Sequence, residues 1–196
     1  MEIDVKNIKA AYETATESER TLLHTLFPDL HLDEAEKDNR PVTERIKTFE
    51  DACKELGNDH PMVLAYQNTN LQDPEVAEDN RDIIAYLKLR IITAALNEGW
   101  EPQFTQDEWR WSPWFCLWTD EELAEKSDEW KESHSLIDLD DFKGECAGFA
   151  CANSADAPSS TSARLGSRLY YQNEALAVYS GRQFADLWAD LYLIRK

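Results

Sequence analysis

The segment NRDIIAYLKLRIITAALNEGW, residues 80–100, sets the strongest constraint on the fold. Ile83, Ile84, Leu87, Ile91, Ala94 and Ala95 recur at helical spacing, and Leu89 and Ile92 widen the apolar surface. Gly99 can take the left-handed conformation that stops the helix. A helix apolar over so much of its circumference needs cover on several sides, which predicts a central helix.

Upstream of it the pattern is helical throughout. DVKNIKAAYETA places Val5, Ile8, Tyr12 and Ala15 on one face, and TESERTLLHTLF opens with Thr16 and Glu19 at capping-box spacing, so two short helices ending at Pro28 are expected. PDLHLDEAEKDNRP, acidic and framed by prolines, reads as an exposed connector. In VTERIKTFEDACKELG, Val42, Ile46, Phe49, Cys53 and Leu56 predict one helix with Thr43 as its cap and Gly57 as its stop.

Past Gly99 the period changes to two. In EWRWSPWFCLW, Trp109, Trp111, Phe115 and Leu117 fall on one side of an extended chain, with Arg110, Ser112, Trp114, Cys116 and Trp118 on the other. Pro113 lacks a donor, which implies an edge strand, a bulge or a break. TDEELAEKSDEW reads as a short exposed helix capped by Thr119, and KESHSLIDLDDFKGE as an acidic loop. CAGFACANSADAPSSTSARLGSRLYY suggests two strands, about 146–152 and 164–171, joined by a Ser/Ala-rich turn. Asn173 then caps EALAVYSGRQFADLWADLYLI, a final helix that Gly181 would kink or split.

These elements predict an α+β fold: an N-terminal helical region, residues 1–98, and a small antiparallel sheet with a C-terminal helix over 99–196. A chain of 196 residues is long enough for one substantial domain, or a domain with a small helical appendage, without disulfides or metals. The expected core of the second part is Trp109, Trp111, Phe115, Phe184, Leu187 and Trp188.

Charge narrows the functional classes. With 39 acidic and 20 basic residues the net charge is −19, a repulsive field for nucleic-acid phosphates and for anionic membranes. Direct nucleic-acid binding and membrane association are therefore not expected. No apolar run is long enough to span a bilayer, and MEIDVKNIKAAYETA lacks a basic region followed by an apolar stretch, so a cytoplasmic or virion location is expected. Cys53, Cys116, Cys146 and Cys151 lack paired spacing and fit reduced thiols.

The motifs of catalysis are missing. Neither the cysteines nor His24, His31, His60 and His134 show zinc spacing, and no metal or cofactor is expected. DLDDF alternates Asp138 and Asp140 beside Asp141, yet Lys143 and Phe149 stand where a calcium loop has glycine and glutamate. A nucleophile elbow, a P-loop and a dinucleotide fingerprint are all absent, and no catalytic residue is nominated.

That leaves the aromatics. Five of seven tryptophans lie within residues 98–118. Burying an indole stabilises by roughly 2–3 kcal/mol, so Trp109 and Trp111 are assigned to the core face of the strand. Trp114 and Trp118 lie opposite and are the better candidates for contact. With Arg110, and with Phe149, Asn153 and Arg164 from the segment 144–166, they form the candidate binding set.

LNEGWEPQFTQDEWRWSPWF and ARLGSRLYYQNEALAVYSGRQFADLWADLYLI resemble an uncharacterised family of gut Bacteroides-type bacteria and their phages and prophages. The matching positions are Asn97 to Trp100, Pro113 to Phe115, Gly166 to Leu169 and Leu176 to Phe184, which anchor roughly the C-terminal half. The resemblance implies no activity and no catalytic residue. Together with the missing catalytic motifs and the negative charge, it leads to the expectation of a non-enzymatic phage-type protein acting through protein contact, as a virion component or as a factor acting on a host protein. A homo-oligomer is compatible with that reading. Two other readings follow from the residues: a carbohydrate or small-molecule module using exposed aromatics, and an acidic decoy of nucleic acid.

Overall fold

A computed structural model describes residues 4–30, 32, 38–103, 105, 107–158 and 167–196. The fold is α+β, with helices and a three-stranded antiparallel sheet, and the chain divides into two compact units, Met1–Arg40 and Pro41–Lys196. Among the described residues no helix is long and apolar enough to cross a membrane.

The first unit is a pair of helices, α1 (Val5–Thr14) and α2 (Glu17–Leu26), as the periodicity predicts. Thr16 N–H donates to Glu19 Oε2 at 2.7 Å, which tethers the start of α2. Ile8, Tyr12 and Leu32 are buried among Leu23, Phe27 and Leu30, and the Tyr12 hydroxyl and His24 Nε2 are 2.9 Å apart. Of the connector that follows, residues 31 and 33–37 lie outside the described residues.

In the second unit the sequence 42–57 is two helices, not one: α3 (Val42–Arg45) and α4 (Phe49–Leu56). The break lets Ile46 turn extended and become fully buried, while its carbonyl accepts the Tyr179 hydroxyl at 2.6 Å. Gln183 Nε2 donates to the next carbonyl, that of Lys47, at 2.9 Å. The working cap is accordingly Thr48, whose Oγ1 accepts from Asp51 N while Asp51 Oδ2 accepts from the N–H groups of Thr48 and Lys47. Gly57 does end the helix, at φ 93°. Two short helices with proline at their first turn follow, α5 (Pro61–Gln67) and α6 (Pro74–Ala77).

The apolar segment forms α7 (Arg81–Leu96) and is central, with Leu89, Ile91, Ile92, Ala95 and Leu96 at 1% exposure or less. α4 and α5 pack on it, as does α11 (Ala185–Tyr192). The C-terminal helix is split, α10 (Glu174–Gln183) preceding α11, but the break falls at Phe184 (φ −120°, ψ 35°) and not at Gly181. Gly181 is instead the point at which α10 meets the sheet.

That sheet has the order β1-β3-β2, with β1 Trp109–Trp118, β2 Ile137–Asp138 and β3 Gly148–Pro158. β1 pairs antiparallel with β3 from Trp109↔Pro158 to Trp118↔Gly148, and the register slips between Trp114↔Asn153 and Phe115↔Cys151, leaving Ala152 as the extra residue of a bulge. β3 takes the place of the shorter strand expected over 146–152. Of the strand expected over 164–171, residues 164–166 lie outside the described residues, Ser167–Leu169 is a 3-10 turn, and Tyr171 makes an isolated bridge to Trp111. Between β1 and β2 lie α8 (Asp120–Ala124), capped by Thr119 as predicted, and α9 (Asp128–Ser133), capped by Ser127. The segment expected as a loop thus contributes the end of α9 and all of β2. Asp138 Oδ1 accepts from Asp140 N at 2.8 Å, closing a local acidic turn.

Candidate functional site

β1 carries the tryptophans, and its position explains their fates. It is an edge strand, and Trp111 exchanges N–H···O=C bonds with Tyr171 at 3.0 and 2.8 Å on the side away from β3. By the strand's two-residue period Pro113 faces the same outer edge, so its missing donor costs the β1–β3 ladder nothing. The backbone groups of Phe115 and Leu117 point outward by the same parity, whereas the Trp118 carbonyl accepts from Ala147 on the β3 side.

The core assignment holds in the middle of the strand and fails at its start. Phe115 stacks on Phe149 at 4.4 Å and sits against Trp188, which is fully buried, and Trp111 is half-buried against the same core. Trp109, expected inside, is 51% exposed. It pairs with Pro158 at the last rung of the ladder, at the end of the sheet. Leu117, on the same side of the strand, is 50% exposed. Phe184 and Trp188 are buried as predicted and Leu187 is half-buried.

The candidate binding set is not one cluster. Arg110, expected between strand and solvent, is 1% exposed, with its guanidinium 4.7 Å from the Tyr170 ring centroid. Phe149 is buried in the core. Asn153 is exposed opposite Trp114, and Trp114 is 46% exposed, so these two do share a surface. Arg164 lies outside the described residues. Trp118 is half-buried and already engaged: Trp130 meets it edge-on at 5.3 Å, and Lys126 Nζ stands 4.7 Å from the Trp118 ring and 5.2 Å from the Trp130 ring. His134 stacks on Trp130 at 4.2 Å. This box of Lys126, Trp130 and His134 was missed from sequence, although Trp130 and His134 stand at helical i, i+4 spacing.

The buried titratable groups have structural surroundings. Tyr171 Oη donates to Ser180 Oγ at 2.6 Å and lies 2.9 Å from Thr93 Oγ1, and Trp188 Nε1 donates to the same Ser180 oxygen at 3.2 Å. Burial pushes the Tyr171 phenol up to about 12. Burial likewise pushes the Cys151 thiol up to about 11, leaving it protonated and poorly nucleophilic at neutral pH. All four cysteines are free thiols, and among the described residues no group of three or more His, Cys, Asp or Glu is placed to hold a metal.

In comparisons with protein-family models, with curated proteins and with solved structures, no significant match to the chain is found. The geometry of β1 therefore carries the functional argument. What distinguishes it is a pair of exposed indoles and a leucine on one edge strand, with Trp109 and Leu117 on one side of the sheet and Trp114 on the other.

Proposed function

We propose that the chain acts by binding another protein rather than by catalysis, and that the outer edge of β1 is its contact surface. The observation that carries this reading is the exposure of Trp109, Trp114 and Leu117 on both sides of a single edge strand. A partner that touches both sides must approach along the edge, and an extended segment adding to the sheet does so. Phe115 and Leu117 offer outward backbone groups for that addition, and the indoles supply rigid apolar anchors. A net charge of −19 selects for a partner segment rich in Lys and Arg. The resemblance of the C-terminal half to proteins of gut Bacteroides-type bacteria and their phages fits a virion component or a factor acting on a host protein.

A sugar platform is supported less well. Such platforms need rings open on one surface, and of the two rings assigned to this face Trp114 is exposed while Trp118 is covered by the chain's own Lys126. Photo-crosslinking tests the contact reading directly, with a benzoylphenyl side chain placed at 109, at 114 and, as a control, at 129. The expected result is one basic protein captured at 109 and 114 but not at 129. No adduct at either strand position, or the same adducts at all three, contradicts it.

A further inference from the structure

Arginines in so acidic a chain have carboxylates to choose from, and several take them. Arg40 pairs with Asp38 at 2.6 Å, Arg195 with Asp190 at 2.6 Å, and Arg45 with both Glu55 and Glu98. Two do not. Among the described residues neither Arg90 nor Arg168 has an ion-pair partner, and both line one cavity of about 410 Å³.

The cavity is built from four parts of the second unit. Arg90 and Ala94 come from one face of α7 and Asn97 from its C-cap, His60 and Met62 from the N-cap and first turn of α5, Trp100 from the chain just after Gly99, and Arg168 from the 3-10 turn before Tyr170. Two stretches that carry the sequence resemblance, NEGW and GSRL, thus meet here through Asn97, Trp100 and Arg168.

Asn97 is committed to structure, donating from Nδ2 to the Tyr170 carbonyl at 2.8 Å and accepting from Gln172 N at 3.2 Å. Arg90 has only a long contact from Nη2 to Met62 Sδ, 3.6 Å, and a place 5.8 Å from the Tyr86 ring, while its Nε is buried without a hydrogen bond among the described residues. Met62 N–H donates to His60 Nδ1 at 3.3 Å, so the neutral ring carries its proton on Nε2 and presents a donor there. Glu101 is the carboxylate of the lining, on an exposed stretch of chain. Two guanidinium groups and an imidazole donor against that one carboxylate leave the cavity locally cationic within an anionic protein.

We infer that this cavity binds a small organic anion, its carboxylate or phosphate held by Arg90 and Arg168 and its apolar body resting on Trp100 and Met62. Guanidinium forks match both acid groups in two-point geometry, and a buried donor left without a partner is the group a ligand oxygen would satisfy. A volume near 400 Å³ is ample for a ring bearing one acid group. The inference is independent of the contact surface on β1, and either can fail without the other.

The test uses the full chain with indole N–H resonances assigned through Trp100→Phe. Benzoate and phenyl phosphate are titrated separately to tell carboxylate from phosphate, with benzyl alcohol as the neutral match. One or both anions should move the Trp100 resonance saturably while benzyl alcohol does not. Arg168 is exposed, so R168Q keeps the fold and should weaken binding roughly 10- to 100-fold, as should R90Q, while R40Q leaves it unchanged. Equal binding of benzyl alcohol, wild-type affinity in both R168Q and R90Q, or no movement of Trp100 with either anion overturns the proposal.

Discussion

Gly181 of α10 lies so close to Cys151 of β3 that a β-carbon at position 181 would stand 2.5 Å from the Cys151 Sγ and 2.9 Å from the Pro113 β-carbon. The hydrogen side chain is what lets the helix settle onto the sheet. Gly181→Ala gains up to about 1 kcal/mol of helix propensity, but the overpacking costs about 1–3 kcal/mol. We expect net destabilisation in urea unfolding, partly relieved in the Gly181→Ala, Cys151→Ala double variant because the two sites share one contact.

Tyr171 makes stability fall at alkaline pH. Its phenol is held neutral in the folded protein up to about 12, whereas the unfolded chain ionises it near the ordinary value of about 10. Below the lower value both states keep the proton and the contribution is constant. Between the two the unfolded state binds fewer protons, so stability drops with rising pH, by at most about 1.4 kcal/mol per unit. Tyr171→Phe should cost about 1–2 kcal/mol at neutral pH through the lost hydroxyl bonds to Ser180 and Thr93, and should reduce the alkaline slope, to which Tyr179 and Tyr192, also pushed up to about 12 by burial, contribute as well. Urea midpoints measured from about pH 8 to about pH 12 check both.

Thr48 and Thr43 separate the observed helix start from the one the sequence suggests. Thr48→Ala removes the acceptor for Asp51 N and should cost about 1 kcal/mol, while Thr43→Ala should stay within about 0.5 kcal/mol. Thermal midpoints of the two variants distinguish them.

The difference between these threonines shows where sequence reasoning stops. The apolar spacing of Val42, Ile46 and Phe49 is real, since Val42 and Ile46 are buried and Phe49 packs on the same core. Periodicity registers which residues go inside, but not that the Ile46 carbonyl is wanted by Tyr179, 133 residues away, at the cost of a helical turn. α7, the first helix pair and the Thr119 and Asn173 caps were legible because each rests on local pattern, whereas Pro113 left an edge strand, a bulge and a break all open. The site was less so. Alternation placed Trp109 and Trp111 on the same side of β1, but the length of the ladder decided which was covered. Arg110, polar and on the face assigned to solvent, is buried beside the Tyr170 ring, a contact no spacing rule announces.

Lys126 over Trp118 and Trp130 gives a further check on which rings are available. Lys126→Ala should cost about 0.5–1 kcal/mol and make tryptophan emission more accessible to acrylamide, because one cation covers two rings. An unchanged quenching profile would mean that the rings are not covered by this side chain.

The edge of β1 is tested most directly by the affinity of the protein captured at positions 109 and 114, measured for wild type and for the Trp109→Ser, Trp114→Ser variant at low and high salt. Both indoles are about half exposed, so the variant should stay folded, with an unchanged thermal midpoint. Affinity should fall at least about tenfold in the variant, and wild-type binding should weaken as salt rises. Wild-type affinity in the variant, or binding indifferent to salt, would contradict the account.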